Sequence, residues 1–199
     1  MTYVFMYRLT NDTGFAPCVD NNLLSLACCK GGQMRGEKVI NTGLRYRIGA
    51  KRESDYLVDD VFILGTYSNK FLYLAKITDV VTMEEYYSGM SKGRTDDIYD
   101  NVYGKLIRNK HLWKEKIHTE PDRIKKDLAG KYVLLSKKFI YLGKDAVYDD
   151  LIAKYNAKFH ETKVYTGDRA QRIVETCEKY RDKNKHIPHE PFENKGGCR

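Results

Sequence analysis

Apolar residues come in short runs over most of the chain and fall into helical spacing only towards its end. Residues 2–9 are rich in aromatic and branched side chains and predict a buried strand. Asn11-Asp12-Thr13-Gly14 breaks it, and Pro17 pushes Ala16 towards an extended conformation. The run from Leu23 to Cys29 is short enough for either a strand or a helix, and Gly31-Gly32 ends it. Val58–Thr66 and Lys70–Val80 form the clearest strand pair, with Tyr67-Ser68-Asn69 as the turn. Phe71, Tyr73, Ala75 and Ile77 alternate with Leu72, Leu74, Lys76 and Thr78. Both faces are largely apolar, which places this hairpin centrally in a sheet or small barrel.

Helix signals follow. Thr82 and Glu85 have the spacing of a capping box, so a short helix should run to about Gly89. Pro121 suits a first helical turn and Gly130 the end of that helix. Val133–Ser136 and Phe139–Leu142 read as one bent strand or a strand pair. Two amphipathic helices close the pattern, one carrying Val147, Leu151, Ile152 and Tyr155, the other Ala170, Ile173, Val174, Cys177 and Tyr180. Residues 41–56, with Arg45, Arg47, Lys51 and Arg52, predict a basic surface loop or irregular ribbon, either solvated or facing phosphate. Strands broken by helices too irregularly for βαβ units predict an α+β fold: a twisted, mostly antiparallel sheet or partial barrel with flanking helices. One domain should span residues 1–182, and residues 183–199 read as a flexible tail.

Charge sharpens this picture. The 199 residues carry a net charge of +8, and residues 104–144 alone hold 12 Lys or Arg against 4 Asp or Glu. Aromatics are interleaved with it, Tyr103 at its edge and Trp113, Tyr132 and Tyr141 within, a mixture suited to phosphate contact and base stacking. Lys125, Lys126, Lys137 and Lys138 are its candidate nucleic-acid contacts; a solvated helix surface is the competing reading. Five cysteines, no secretory leader and no long apolar run predict a reduced, soluble, cytoplasmic protein away from membranes. No Cys or His spacing predicts a metal site, the close carboxylates Asp96 and Asp97 could bind Mg²⁺, and the sequence does not determine a cofactor.

Three motifs carry chemistry. Asp12 either caps the Gly14-Phe15-Ala16-Pro17 loop or faces a ligand donor. Cys28-Cys29-Lys30-Gly31-Gly32, with Arg35 beyond it, can cradle a phosphate, and Lys30 would activate a neighbouring thiol; a buried structural thiol is the alternative. Arg94-Thr95-Asp96-Asp97-Ile98-Tyr99 combines a fork donor, acceptors and a phenol, which either tie one loop together or read a phosphate or base edge. His111 and His118 are the candidate acid or base groups nearby in sequence.

The ordered set of these motifs resembles the nucleotide-modification-associated domain 2 family of bacterial and phage genomes. The resemblance runs over about residues 3–145. It rests on Asp12, Gly14–Pro17, Leu26-Ala27, Cys29-Lys30, Met34-Arg35, Arg94, Asp96, Ile98-Tyr99, His111 or His118, Val133–Ser136, Phe139, Tyr141 and Gly143. The chain departs from the pattern with Asp59-Asp60 before a strand, Leu142 before Gly143 and Cys18 after Pro17. The resemblance implies a link to DNA base hypermodification. It marks Asp12, Lys30, Arg35, Arg94, Asp96, Tyr99, Ser136 and Tyr141 as ligand-binding, and Asp12, Cys29, Asp96, Tyr99 and His111 as catalytic candidates. The first expected function is recognition of a nucleotide or of a modified base in nucleic acid, by analogy with barrels of the PUA and EVE type. A glycosidase, hydrolase or base-modifying transferase acting on the same ligand is the second. An interaction subunit of a phage or phage-defence system is the third.

Overall fold

The computed structural model describes residues 1–36, 38–53, 60–109, 118–158 and 161–181. Strand β1 (Thr2–Leu9) is followed by β2 (Cys18–Asp20), β3 (Leu23–Leu26), β4 (Gly32–Arg35) and β5 (Lys38–Thr42), then helix α1 (Leu44–Gly49). The hairpin β6 (Asp60–Tyr67) and β7 (Lys70–Lys76) leads to β8 (Asp79–Thr82) and the single turn α2 (Met83–Glu85), prolonged by a π turn over Tyr86–Met90. A second hairpin, β9 (Tyr99–Val102) and β10 (Lys105–Arg108), precedes helix α3 (Pro121–Leu128). Then come β11 (Tyr132–Ser136), β12 (Lys138–Tyr141), β13 (Val147–Tyr148), α4 (Asp150–Tyr155), β14 (Thr162–Thr166) and α5 (Gly167–Glu178).

The larger sheet has the order β12-β7-β6-β1-β14, with β13 beside β7, so the β6–β7 hairpin is central. A smaller sheet has the order β2-β3-β11-β8, and the hairpins β4–β5 and β9–β10 stand apart. Among the described residues β1 and β6 pair in parallel and the other ladders are antiparallel. The fold is α+β with open sheets, and no sheet of the described residues closes into a barrel.

Both faces of β1, β6 and β7 in the large sheet are largely buried, which is why these strands read as nearly continuous apolar runs. Phe5, Tyr7 and Leu9 of β1 join a core with Leu24, Leu26 and Leu134 of the small sheet and Leu44 and Ile48 of α1. Val4 and Met6, on the opposite face, pack with Ile152, Ala170, Ile173, Val174 and Cys177 of α4 and α5. A third cluster, with Phe15, Cys28, Tyr86, Tyr87, Ile98, Tyr99 and Leu135, brings the π turn and the root of the β9–β10 hairpin together with β11.

The simple alternation expected in β7 is broken. Gly65 pairs with Tyr73 but Thr66 pairs with Phe71, so Leu72 is an extra residue, a β-bulge. Phe71 therefore joins the helix-side core, and Tyr73 and Ala75 the opposite one. The capping box is present: Thr82 Oγ1 accepts from the Glu85 amide at 3.1 Å and Glu85 Oε2 from the Thr82 amide at 2.7 Å.

Three expectations are corrected. Residues 44–49 are not loop but helix α1, because Leu44 and Ile48, one turn apart, supply an apolar stripe that the intervening arginines mask. Val133–Ser136 and Phe139–Leu142 contribute to different sheets: β11 pairs with β3 and β8, β12 with β7. Val147 lies in β13, and helix α4 starts later, where Asp149 accepts from the amides of Leu151 and Ile152 at 2.9 and 3.1 Å. Strands β9, β10 and β14 carry polar, partly exposed sequences and give little apolar signal. The expected tail, His111 and Trp113 lie outside the described residues. No helix among the described residues is long and apolar enough to cross a membrane.

Candidate active site

Cys29 and Lys30 follow strand β3 in the loop that leads to β4. Both have left-handed backbone angles, φ +58° and +51°. Non-glycine residues hold this conformation only where the surroundings over-determine it. Here the loop is tied on all sides. The Cys29 amide donates to Asp127 Oδ1 at 2.9 Å, and its carbonyl accepts from Arg45 Nε at 2.8 Å. The Lys30 carbonyl accepts from the Arg45 amide at 3.3 Å and the Gly31 carbonyl from the Gly43 amide at 2.7 Å.

The half-buried Cys29 thiol faces an imidazole. Cys29 Sγ lies 3.4 Å from His118 Nε2, and His118 Nδ1 is hydrogen-bonded to Asp127 Oδ2. The Tyr99 hydroxyl donates to the same oxygen at 3.1 Å. A carboxylate only accepts, so Asp127 keeps the imidazole proton on Nδ1 and leaves the Nε2 lone pair turned to the thiol. His118 and Asp127 are both buried, and the Phe15 ring packs against His118 with centroids 5.3 Å apart. Burial and the charge of Asp127 push the Tyr99 hydroxyl up from its ordinary pKa, so it stays a neutral donor. No group of three or more His, Cys, Asp or Glu among the described residues is placed to hold a metal ion.

A wall of tyrosines adjoins this chain of groups. The hydroxyls of Tyr7 and Tyr73 are 2.8 Å apart, and the Tyr141 hydroxyl donates to both oxygens of the buried Asp12 at 2.9 and 3.1 Å. The Lys30 ammonium sits 4.7 Å from the Tyr7 ring centroid. Tyr7 is held neutral chiefly by burial, then by Tyr73, with the charge of Asp12 adding to the shift. Cys29, Asp12, Lys30 and the tyrosines therefore share one electrostatic neighbourhood.

Arg94 and Asp96 belong to a second, buried network. Arg94 donates to Tyr86 Oη at 2.8 Å, to the carbonyls of Asp20 and Leu23 at 2.8 and 3.1 Å, and to Ser25 Oγ at 3.0 Å. Asp96 accepts from Ser25 at 2.6 Å and from Tyr86 at 2.9 and 3.0 Å. Burial raises the Asp96 pKa, opposed by Ser25 and Arg94. These contacts clamp the β2–β3 turn, where Asn21 and Asn22 have positive φ.

The remaining candidates are dispersed. Arg35 is exposed at the end of β4. Ser136 Oγ accepts from the Lys138 amide at 3.1 Å and donates to the Lys138 carbonyl at 2.9 Å, closing the turn between β11 and β12. Lys125, Lys137 and Lys138 are exposed and Lys126 is half-buried. Asp127 had no role in the sequence reading, and Arg45 entered it only as one cation of a surface segment, solvated or facing phosphate. Asp127 does leave a trace, because it lies on the stripe of α3 that also carries the partly buried Ile124 and Leu128. Arg45 leaves none, since its buried position depends on contacts distant in sequence.

The family described as nucleotide modification associated domain 2 matches residues 1–196. No curated protein and no solved structure matches the chain.

Proposed function

We propose that this chain, which belongs to the nucleotide modification associated domain 2 family, is an acyl-transfer enzyme that uses Cys29 as its nucleophile. The carrying observation is the Cys29 thiol 3.4 Å from an imidazole that is itself bonded to Asp127. Such a relay suits a reaction in which a thiol must lose a proton and a leaving group must gain one. The family's association with nucleotide modification supports a substrate carrying a nucleotide, free or within nucleic acid.

The geometry supports the following steps. His118 Nε2 takes the thiol proton as Cys29 Sγ attacks a carbonyl carbon of an amide or ester. The carbon–nitrogen or carbon–oxygen bond breaks, and the leaving amine or alcohol takes the proton from Nε2. A thioester on Cys29 remains. Water or an amine, activated by the same Nε2, then attacks it, and the proton returns to sulfur. Asp127 steadies the imidazolium throughout. Lys30, next to the nucleophile, supplies positive charge for a substrate phosphate, and Asp12 with Tyr141 offers a polar wall for a base or amine.

The test is to incubate the protein with nucleotides and with DNA whose bases carry amide or ester substituents, with and without an added amine. Intact-mass spectrometry should find an acyl adduct on Cys29 and a new nucleotide product, both lost in Cys29→Ala. Co-purification of unchanged nucleotide with neither adduct nor product would replace this reading with plain recognition of a nucleotide or modified base.

A further inference from the structure

Arg45 is among the largest fully buried side chains of the protein, although arginine is rarely buried without a carboxylate partner. Among the described residues its guanidinium donates only to main-chain oxygens. Nε reaches the Cys29 carbonyl at 2.8 Å, Nη1 the Tyr132 carbonyl at 2.7 Å, and Nη2 the Asp127 carbonyl. The chain makes room for it at Gly130, where a β-carbon would fall 2.8 Å from Arg45 Nη1 and closer still to Cζ; at Gly31 a β-carbon would meet the Lys126 carbonyl oxygen first and then Arg45 Nη2 at 2.8 Å. A buried cation is costly unless all its donors are used, and an apolar residue could fill such a space more cheaply. This placement therefore calls for a role.

We infer that Arg45 is the positioning residue of the thiol site, its fork joining the strained Cys29 loop to the end of helix α3 that presents Asp127. This rests on the reading of Cys29 as a nucleophile. The fork geometry is the reason for arginine: one planar group ties the nucleophile loop, the acid's helix and β11 at once, which a lysine ammonium cannot do with the same rigidity. The backbone at Arg45 adds a further tie, because its amide donates to Lys30. Its charge also reaches the neighbouring thiol of Cys28: burial, then the charges of Asp127 and Asp96, raise the Cys28 pKa, and the guanidinium opposes that rise.

The experiment follows alkylation of Cys29 by iodoacetamide, located by peptide mass spectrometry, from about pH 5 to about pH 9, in wild type, His118→Asn, Arg45→Lys and Arg45→Gln. Amide hydrogen exchange at Cys29 and Lys30 is read in parallel. Wild type should react with a midpoint below the ordinary thiol value of about 8.5, and His118→Asn should move it towards that value. Arg45→Gln should raise the midpoint by at least about half a pH unit, and Arg45→Lys should recover part of that shift. Exchange at Cys29 should accelerate at least about tenfold in both Arg45 variants, because lysine restores charge but not the fork. If Arg45→Gln does not fold, the exchange of Arg45→Lys decides. Arg45 variants that match wild type in midpoint and exchange, while His118→Asn differs, would overturn the role of Arg45 and leave the nucleophile standing. An ordinary wild-type thiol profile indifferent to His118→Asn would overturn both.

Discussion

Asp127 accepts from the Cys29 amide, the Tyr99 hydroxyl and the His118 ring, so a single carboxylate organises the Cys29 loop and the His118 imidazole together. Asp127→Asn keeps the shape but can present an amide donor to Nδ1, which favours the wrong imidazole tautomer. The expected loss is on the order of 10³- to 10⁴-fold in turnover, by the general behaviour of such triads, and stopped-flow acylation measures it. Tyr99→Phe removes one hydrogen bond to the same carboxylate and should cost about 1 kcal/mol of stability in urea denaturation. Asp96 behaves differently. Burial raises its pKa above the unfolded value of about 3.9. A raised acid binds its proton more tightly when folded, so its contribution favours the fold at low pH and is lost as pH rises through the folded value. Asp96→Asn removes this dependence. The difference in Tm between variant and wild type should therefore change progressively from about pH 3.9 upward, in favour of the variant. A pH-independent difference would show that Arg94 and Ser25 cancel the effect of burial.

At the scale of elements, the bulge in β7 links sequence to site. Gly65 faces Tyr73 so closely that a β-carbon there would lie inside contact with the ring and 2.8 Å from Leu9 Cδ1. Gly65→Ala should cost about 1–3 kcal/mol in denaturant unfolding and displace the Tyr73 hydroxyl from Tyr7. The elements readable in advance were those whose signal is local. The β6–β7 hairpin announced itself by apolar runs around Tyr67-Ser68-Asn69, and the Thr82 capping box by two residues three apart. Helix α1 did not, because an arginine buried by tertiary hydrogen bonds looks like a solvated one in sequence. The polar strands β9, β10 and β14 are set by their partners and were equally silent.

For the whole molecule, the charge distribution gives the next test. The net charge of +8 coincides with the balance of residues 104–144, from which Lys125, Lys137 and Lys138 project into solvent. If polynucleotide is the substrate carrier, log affinity should fall with log salt by roughly 0.9 per phosphate contact on duplex and about 0.7 on single strands. Charge reversal at Lys125, Lys126, Lys137 and Lys138 should flatten that slope and leave alkylation of Cys29 unchanged. Equal shallow slopes in both proteins would assign the site a free nucleotide instead.

The sequence by itself determined the fold class, the central hairpin and the family, because these rest on local periodicity, turn chemistry and an ordered set of short motifs. It also supplied Cys29, Lys30, Asp12 and Tyr99 as residues worth watching. Tertiary structure alone decided what they touch. It brought Cys29 to His118 across 89 positions, drew in Asp127 from α3, and sent Arg94 and Arg45 inward to hold backbone. Thiol chemistry needs a base within hydrogen-bond reach, and that proximity is a property of the folded chain, with no counterpart in the spacing of residues along it.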